Sequence, residues 1–132
     1  MTVIQTRGEL NPLPIKAQTR MELYHFEIGF PSWFKAPTAT VKPEYGSHSR
    51  KEALTDRYGN ITLPETMDLS KYKVIELGVE GNKVVKMVVR GQLDSTRDIC
   101  VVLTNTGFVK TVWVNLRSDT HKTLDRTKYV NP

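Results

Sequence analysis

The chain of 132 residues holds one cysteine, Cys100. A single thiol excludes an internal disulfide framework and a CxxC redox pair, and it points to a reducing compartment, the cytoplasm. The three histidines, His25, His48 and His121, are scattered, and no HxxxH or CxxC spacing supports a zinc site. No apolar run approaches the roughly 18–20 residues that a membrane span needs. The stretch "MTVIQTRGELNPLPIKAQTR" lacks the apolar centre of a signal peptide. There is no glycine-rich phosphate loop, because "GVEGNK" reads as a hairpin turn. Cys100 lies inside a strand-like run, where a thiol is packed rather than nucleophilic. Neither a cofactor nor a membrane partner is expected.

What remains is a basic chain of single-domain length. The net charge is +5 and the isoelectric point near 9.4, which favours a polyanionic partner such as RNA or DNA without requiring one. Residues 1–20 are polar, carry prolines at 12 and 14, and read as an extended arm; residues 21–132 form one α+β domain. Within it "MELYHFEIGF" (21–30) is a short N-terminal β segment. Pro31, Pro37 and Pro43 then restrict the chain to short extended pieces. "SHSRKEALTDRYG" (47–59) is the one convincing helix, with Ser47 or Ser49 as cap, Glu52 completing a capping box and Gly59 as stop.

Four strand-like runs follow, "KVIELGVE" (73–80), "NKVVKMVVR" (82–90), "RDICVVLT" (97–104) and "GFVKTVWVN" (107–115). Turn signals at Gly81-Asn82 and Asn105-Thr106 join them into an antiparallel four-strand meander packed against the helix. Strict alternation splits the meander into two faces. One is almost purely aliphatic, with Ile75, Leu77, Val79, Val85, Met87, Val89, Val101, Phe108, Lys110 and Val112, and it should meet the helix through Ala53, Leu54 and Tyr58. The other sets Glu76, Lys86, Arg90, Thr111, Trp113 and Asn115 among valines. A half-apolar face with a few charges suits a shallow site, although Glu76 could equally pair across strands with Lys86 or Arg90.

The closing "DTHKTLDRTKY" (119–129) has almost nothing to bury, yet it leaves the sheet beside Trp113 and Asn115. Folded back over the polar face, it would bring His121 towards Glu76, Lys86 and Arg90. A carboxylate and an imidazole among cations are what RNA cleavage without a metal requires. A base takes the 2′-hydroxyl proton, cations stabilise the phosphorane, and an acid protonates the leaving oxygen. A solvated tail is the competing reading. "FPSWFK" reads as core or loop packing rather than as a platform for base stacking.

The helix "SHSRKEALTDRYG", the meander "KVIELGVEGNKVVKMVVR", "DICVVLT" and "GFVKTVWVN", and the final "DTHKTLDRTKY" resemble the barnase–EndoU–colicin–RelE group of small metal-independent RNases. The likeness is greatest to phage-borne or toxin-like members and covers residues 45–130. It implies an endoribonuclease with His48 and His121 as acid and base, and with RNA phosphates held by the face bearing Lys86, Arg90 and Thr111. Tyr129 either stacks on a base or anchors the C-terminus. The chain departs from the "SxHA"-type helix start, because Ser49 stands where alanine is common. The alternative is a non-catalytic protein on the same scaffold, binding RNA or inhibiting a host enzyme.

Overall fold

The computed structural model describes residues 20–119 and 124–132. The expected arm therefore lies outside the described residues, apart from Arg20. The elements are β1 (Glu22–His25), β2 (Thr40–Val41), β3 (Glu44–Tyr45), α1 (Ser47–Thr55), β4 (Met67–Asp68), β5 (Lys73–Glu80), β6 (Lys83–Gln92), β7 (Arg97–Thr104) and β8 (Phe108–Leu116), with 3₁₀ turns at Leu69–Lys71 and Arg126–Lys128. The prolines at 31, 37 and 43 leave room only for two-residue strands in β2 and β3, as steric restriction of the ladder requires.

β5 to β8 pair antiparallel in chain order, but the sheet has six strands rather than four. β1 adds antiparallel to β5, and β3 adds parallel to β8, giving the order β1-β5-β6-β7-β8-β3. A separate ladder joins β2 to β4. The protein is thus α+β, with a mostly antiparallel sheet and one α-helix among the described residues.

Three β-bulges change the faces expected from strict alternation. Val74 pairs with Val89 but Glu76 with Val88, so Ile75 is an extra residue on β5. Gly78 pairs with Lys86 but Val79 with Val84, so Val85 is extra on β6. Val102 pairs with Thr111 but Leu103 with Val109, which makes Lys110 extra on β8. Each extra residue shifts the alternation of its strand by one. Val74 and Val109 therefore enter the core and Val84 packs against it, while Val85 lies outside the core cluster. Lys110 is exposed and Phe108 is 39% exposed. The remainder of the core follows the expected face: Leu77, Val79, Val89, Ile99, Val101, Leu103, Val112 and Val114 are all buried.

The helix lies along the outer edge of β8 and does not use the expected cap. Gly46 is the N-cap and no side chain caps it. Ser49, Glu52 and Asp56 fall at i, i+3 and i+7, on one stripe of the helix and the residue that ends it. Ser49 Oγ donates to the Val109 carbonyl at 2.7 Å. The Val112 N–H donates to Glu52 Oε1 at 3.1 Å, and the Val114 N–H to Asp56 Oδ1 at 3.2 Å. Further along this edge Glu44 N–H donates to the Gly107 carbonyl at 2.9 Å. An edge strand otherwise leaves such groups unpaired. Ala53 is buried at the centre of the stripe, whereas Leu54 is 66% exposed and Tyr58 36% exposed, against expectation. Ile61 from the following loop, Met67 from β4 and Leu69 from the 3₁₀ turn after it complete the cover of this face.

Removing an edge contact should therefore cost more than removing the exposed leucine. Ser49→Ala and Glu52→Ala should each lower unfolding free energy by about 1–2 kcal/mol. Leu54→Ala should change it by less than about 0.5 kcal/mol. Urea unfolding of the three variants measures this order, and a larger loss at Leu54 would contradict the packing described.

Candidate functional site

The sheet face opposite the helix carries Glu76, Lys86, Val88, Cys100, Val102 and Trp113, and the C-terminal segment lies across it. Leu124, Asp125, Lys128 and Tyr129 join those residues, with His25 and Ile75, around a cleft of about 370 Å³. The segment is tied down at both ends. Tyr129 Oη donates to Glu76 Oε1 at 2.7 Å, and the Val130 N–H donates to the Leu23 carbonyl at 2.8 Å, on the outer edge of β1. Upstream, Arg90 Nη2 donates to the Asp119 carbonyl at 3.2 Å. Asp125 shapes the turn by accepting from the Thr127 N–H at 3.1 Å. Those hydrogen bonds hold its carboxyl below the usual carboxylate range, Thr127 Oγ1 contributing most, then the Thr127 N–H.

His25 is the residue that sequence reasoning passed over. β1 pairs with β5 so that His25 stands opposite Glu76, which puts imidazole and carboxylate side by side on one face. His25 is buried, and its Nδ1 accepts from the Glu27 N–H at 3.1 Å, which leaves the ring proton of the neutral form on Nε2. The ring packs against Tyr129, centroid to centroid 5.0 Å, and against Phe26 at 4.9 Å. His25, Glu76 and Tyr129 thus form one connected group. The available signal was the alternation in "ELYH", where Tyr24 enters the core and His25 must face the other way.

The other candidates separate. Lys86 lines the cleft with Glu76 and Trp113. Its stem crosses β5 at Gly78, where a Cβ would stand only 2.8 Å from Lys86 Cγ. Thr111 shares the face but not the cleft lining, being paired with Val102. Arg90 points into a neighbouring cleft of about 360 Å³ with Lys73, Asp98 and Arg117. There it is a structural group. Nε donates to Asp98 Oδ2 at 2.8 Å, and Nη2 to the Leu116 carbonyl at 3.3 Å. Arg117 reaches the other oxygen of Asp98 at 3.1 Å and donates to the Asp94 carbonyl. His48 belongs to α1 and is not among the cleft residues; its Nε2 lies 3.2 Å from Glu52 Oε2 on an exposed helix surface. His121 lies outside the described residues.

Two groups in the cleft are held protonated. Burial pushes the Cys100 thiol up to about 12, against the opposing pull of Arg90 and with help from Asp98 and Asp119, so it is no nucleophile. Tyr129 is also raised above its ordinary value, first by burial and then by its hydrogen bond to Glu76 and the charges of Glu76 and Asp125. A folded-state pKa above the unfolded one contributes stability that is complete below the unfolded value and lost as pH rises through the folded one. Stability should therefore fall once pH passes about 10, where unfolded tyrosine ionises. Tyr45, pushed up to about 12 by burial, contributes to the same loss. Tyr129→Phe should make the decline above about pH 10 shallower. Urea midpoints across that range test this, and an unchanged slope would contradict the Tyr129–Glu76 bond.

Comparison of this chain with protein-family models, with curated proteins and with solved structures finds no match.

Proposed function

We propose that the protein is a metal-independent endoribonuclease, a cytoplasmic effector of phage or toxin type, acting on the sheet face opposite the helix. One observation carries this reading. The cross-strand pair His25–Glu76, bridged by Tyr129, lines a cleft that also holds Lys86 and Lys128. Those are the group types that cleavage through the 2′-hydroxyl uses. A carboxylate or imidazole removes the 2′-hydroxyl proton as that oxygen attacks phosphorus. The lysine ammonium groups offset the charge gained by the phosphorane oxygens, and a protonated imidazole gives its proton to the departing 5′-oxygen. The products are a 2′,3′-cyclic phosphate and a free 5′-hydroxyl. The Tyr129 hydroxyl, held protonated, fixes the orientation of Glu76.

His121 retains its proposed role as acid or base. That role rests on the chemistry and the resemblance, whereas His48 stands on the exposed helix surface, away from the cleft. Arg90, engaged by Asp98 and two carbonyls, is assigned to holding the face together rather than to phosphate. The same commitment of groups favours a second reading: Glu76 and Arg90 are already satisfied internally, as they would be in a non-catalytic RNA-binding protein or host-enzyme inhibitor.

Single-turnover cleavage of labelled RNA with EDTA present separates the two readings. Wild type should cleave, while His121→Ala and Glu76→Gln should each lose about 10²–10⁴-fold in rate with RNA binding retained. Lys86→Ala should weaken binding and flatten its salt dependence. RNA bound but never cut would replace the nuclease with the binding protein. Cleavage equally fast in both variants would remove the assigned residues from the chemistry.

A further inference from the structure

We infer that a groove adjoining this cleft is a base-binding subsite for single-stranded RNA, in which Trp33 stacks on a base next to a phosphate held by Lys86. The inference rests on the RNA-binding part of the reading above, not on cleavage.

The groove encloses about 340 Å³ at the end of the sheet where the β5–β6 and β7–β8 hairpins turn. Phe34, Val84, Met87 and Leu103 form an apolar floor, and Trp33 stands as one wall. Trp33 is 46% exposed, a large apolar surface that packing leaves open. Its position is rigidly set. Phe34 N–H donates to the Pro31 carbonyl at 3.0 Å, closing a turn over 31–34, and the Phe30 and Phe34 rings meet edge to face at 5.3 Å. With Phe34 pinned inward and Pro31 buried, Trp33 at the turn's third position faces outward. "FPSWFK" therefore divides its work: Phe30 and Phe34 pack, as the sequence suggests, and Trp33 does not.

Charge chooses the occupant. Lys35 and Lys86 stand at the groove, and among the described residues no carboxylate lines it. A second copy of a chain with net charge +5 is a poor match for those lysines. An aromatic face beside lysines is the arrangement by which proteins bind unpaired bases, whose flat surfaces stack while cations follow the phosphates. Lys86 lines both spaces, although the groove lies on the face of Met87 and Leu103 and the cleft on the face of Glu76 and Lys86, so the RNA strand passes from one to the other round the hairpin end of the sheet. A strand with a phosphate at Lys86 can thus place one base against Trp33 while its continuation enters the cleft. Asn105, exposed at the groove, offers an amide to a base edge. A duplex keeps its bases stacked on one another and cannot use Trp33.

Fluorescence anisotropy with a labelled single-stranded RNA oligonucleotide, and with the same strand in a duplex, tests the subsite. Trp33→Ala should weaken single-strand binding roughly 5–150-fold without altering its salt dependence, since stacking is lost and no charge is. Trp33→Phe should restore most of that loss, and duplex binding should be the same for all three proteins. If Lys86→Ala weakens binding while Trp33→Ala binds like wild type, the subsite is wrong and the cleft reading stands. If wild type binds no single-stranded RNA, or captures only a protein partner, both fall. Equal losses in Trp33→Ala and Trp33→Phe, on single strand and duplex alike, would make Trp33 a structural residue and overturn the subsite.

Discussion

The six-stranded sheet has two faces and two outer edges, and the described residues include one α-helix to cover them. Everything else follows from where that helix goes. Ser49, Glu52 and Asp56 meet the backbone of β8 at Val109, Val112 and Val114, so the helix seals an edge while Ala53 closes the core. Unpaired backbone groups on an edge are both energetically costly and a template for association with another chain. Committing the helix to one face and one edge leaves the opposite face to be covered by another part of the chain. That is the task of the C-terminal segment. It has little to bury and is fastened through Tyr129 to Glu76 and through Val130 to the free edge of β1.

A polar cover over a half-apolar face produces a cleft rather than a second core. The sheet contributes Val88, Val102 and Trp113, the segment contributes Lys128 and Tyr129, and the two meet without filling the space between them. The ion-pair network of Arg90, Asp98 and Arg117 closes one side of this arrangement and holds the chain as it leaves β8. Groups with hydrogen-bonding capacity thus divide into those that build the face, Arg90 foremost, and those gathered round the cleft, His25, Glu76 and the two lysines.

Much of this was legible in the sequence, and the failures share a physical cause. The four strands of the meander and their turns follow from alternating valines between Gly-Asn and Asn-Thr signals, and β5 and β7 fall where they were read. The faces were misread only beside bulges, where one extra residue exchanges neighbours: Val74 for Ile75, Val84 for Val85, Val109 for Lys110. A bulge leaves no mark in a run such as "KVVKMVV", in which either neighbour is apolar. β1 falls inside the β segment read at 21–30, but the pairing of β1 with β5 and of β3 with β8 was not read, because it is set by partners distant in the sequence. Glu52 was misassigned for a related reason. Its spacing from Ser49 fits a capping box, but a strand edge sixty residues away competes for the same carboxylate and holds it. His25 was overlooked because its partner Glu76 is its neighbour only through the β1–β5 register.

The central claim is that the cleft beneath the C-terminal segment, and not the surface of the helix, is where the protein meets RNA. The most direct measurement is an NMR titration of the amide-labelled protein with a single-stranded RNA oligonucleotide. The account predicts that shifts concentrate on Lys86, Val88, Val102, the Trp113 indole and Tyr129, while the amides of Ser47–Thr55 stay in place. Shifts centred on His48 and the helix, with the cleft residues unmoved, would contradict it.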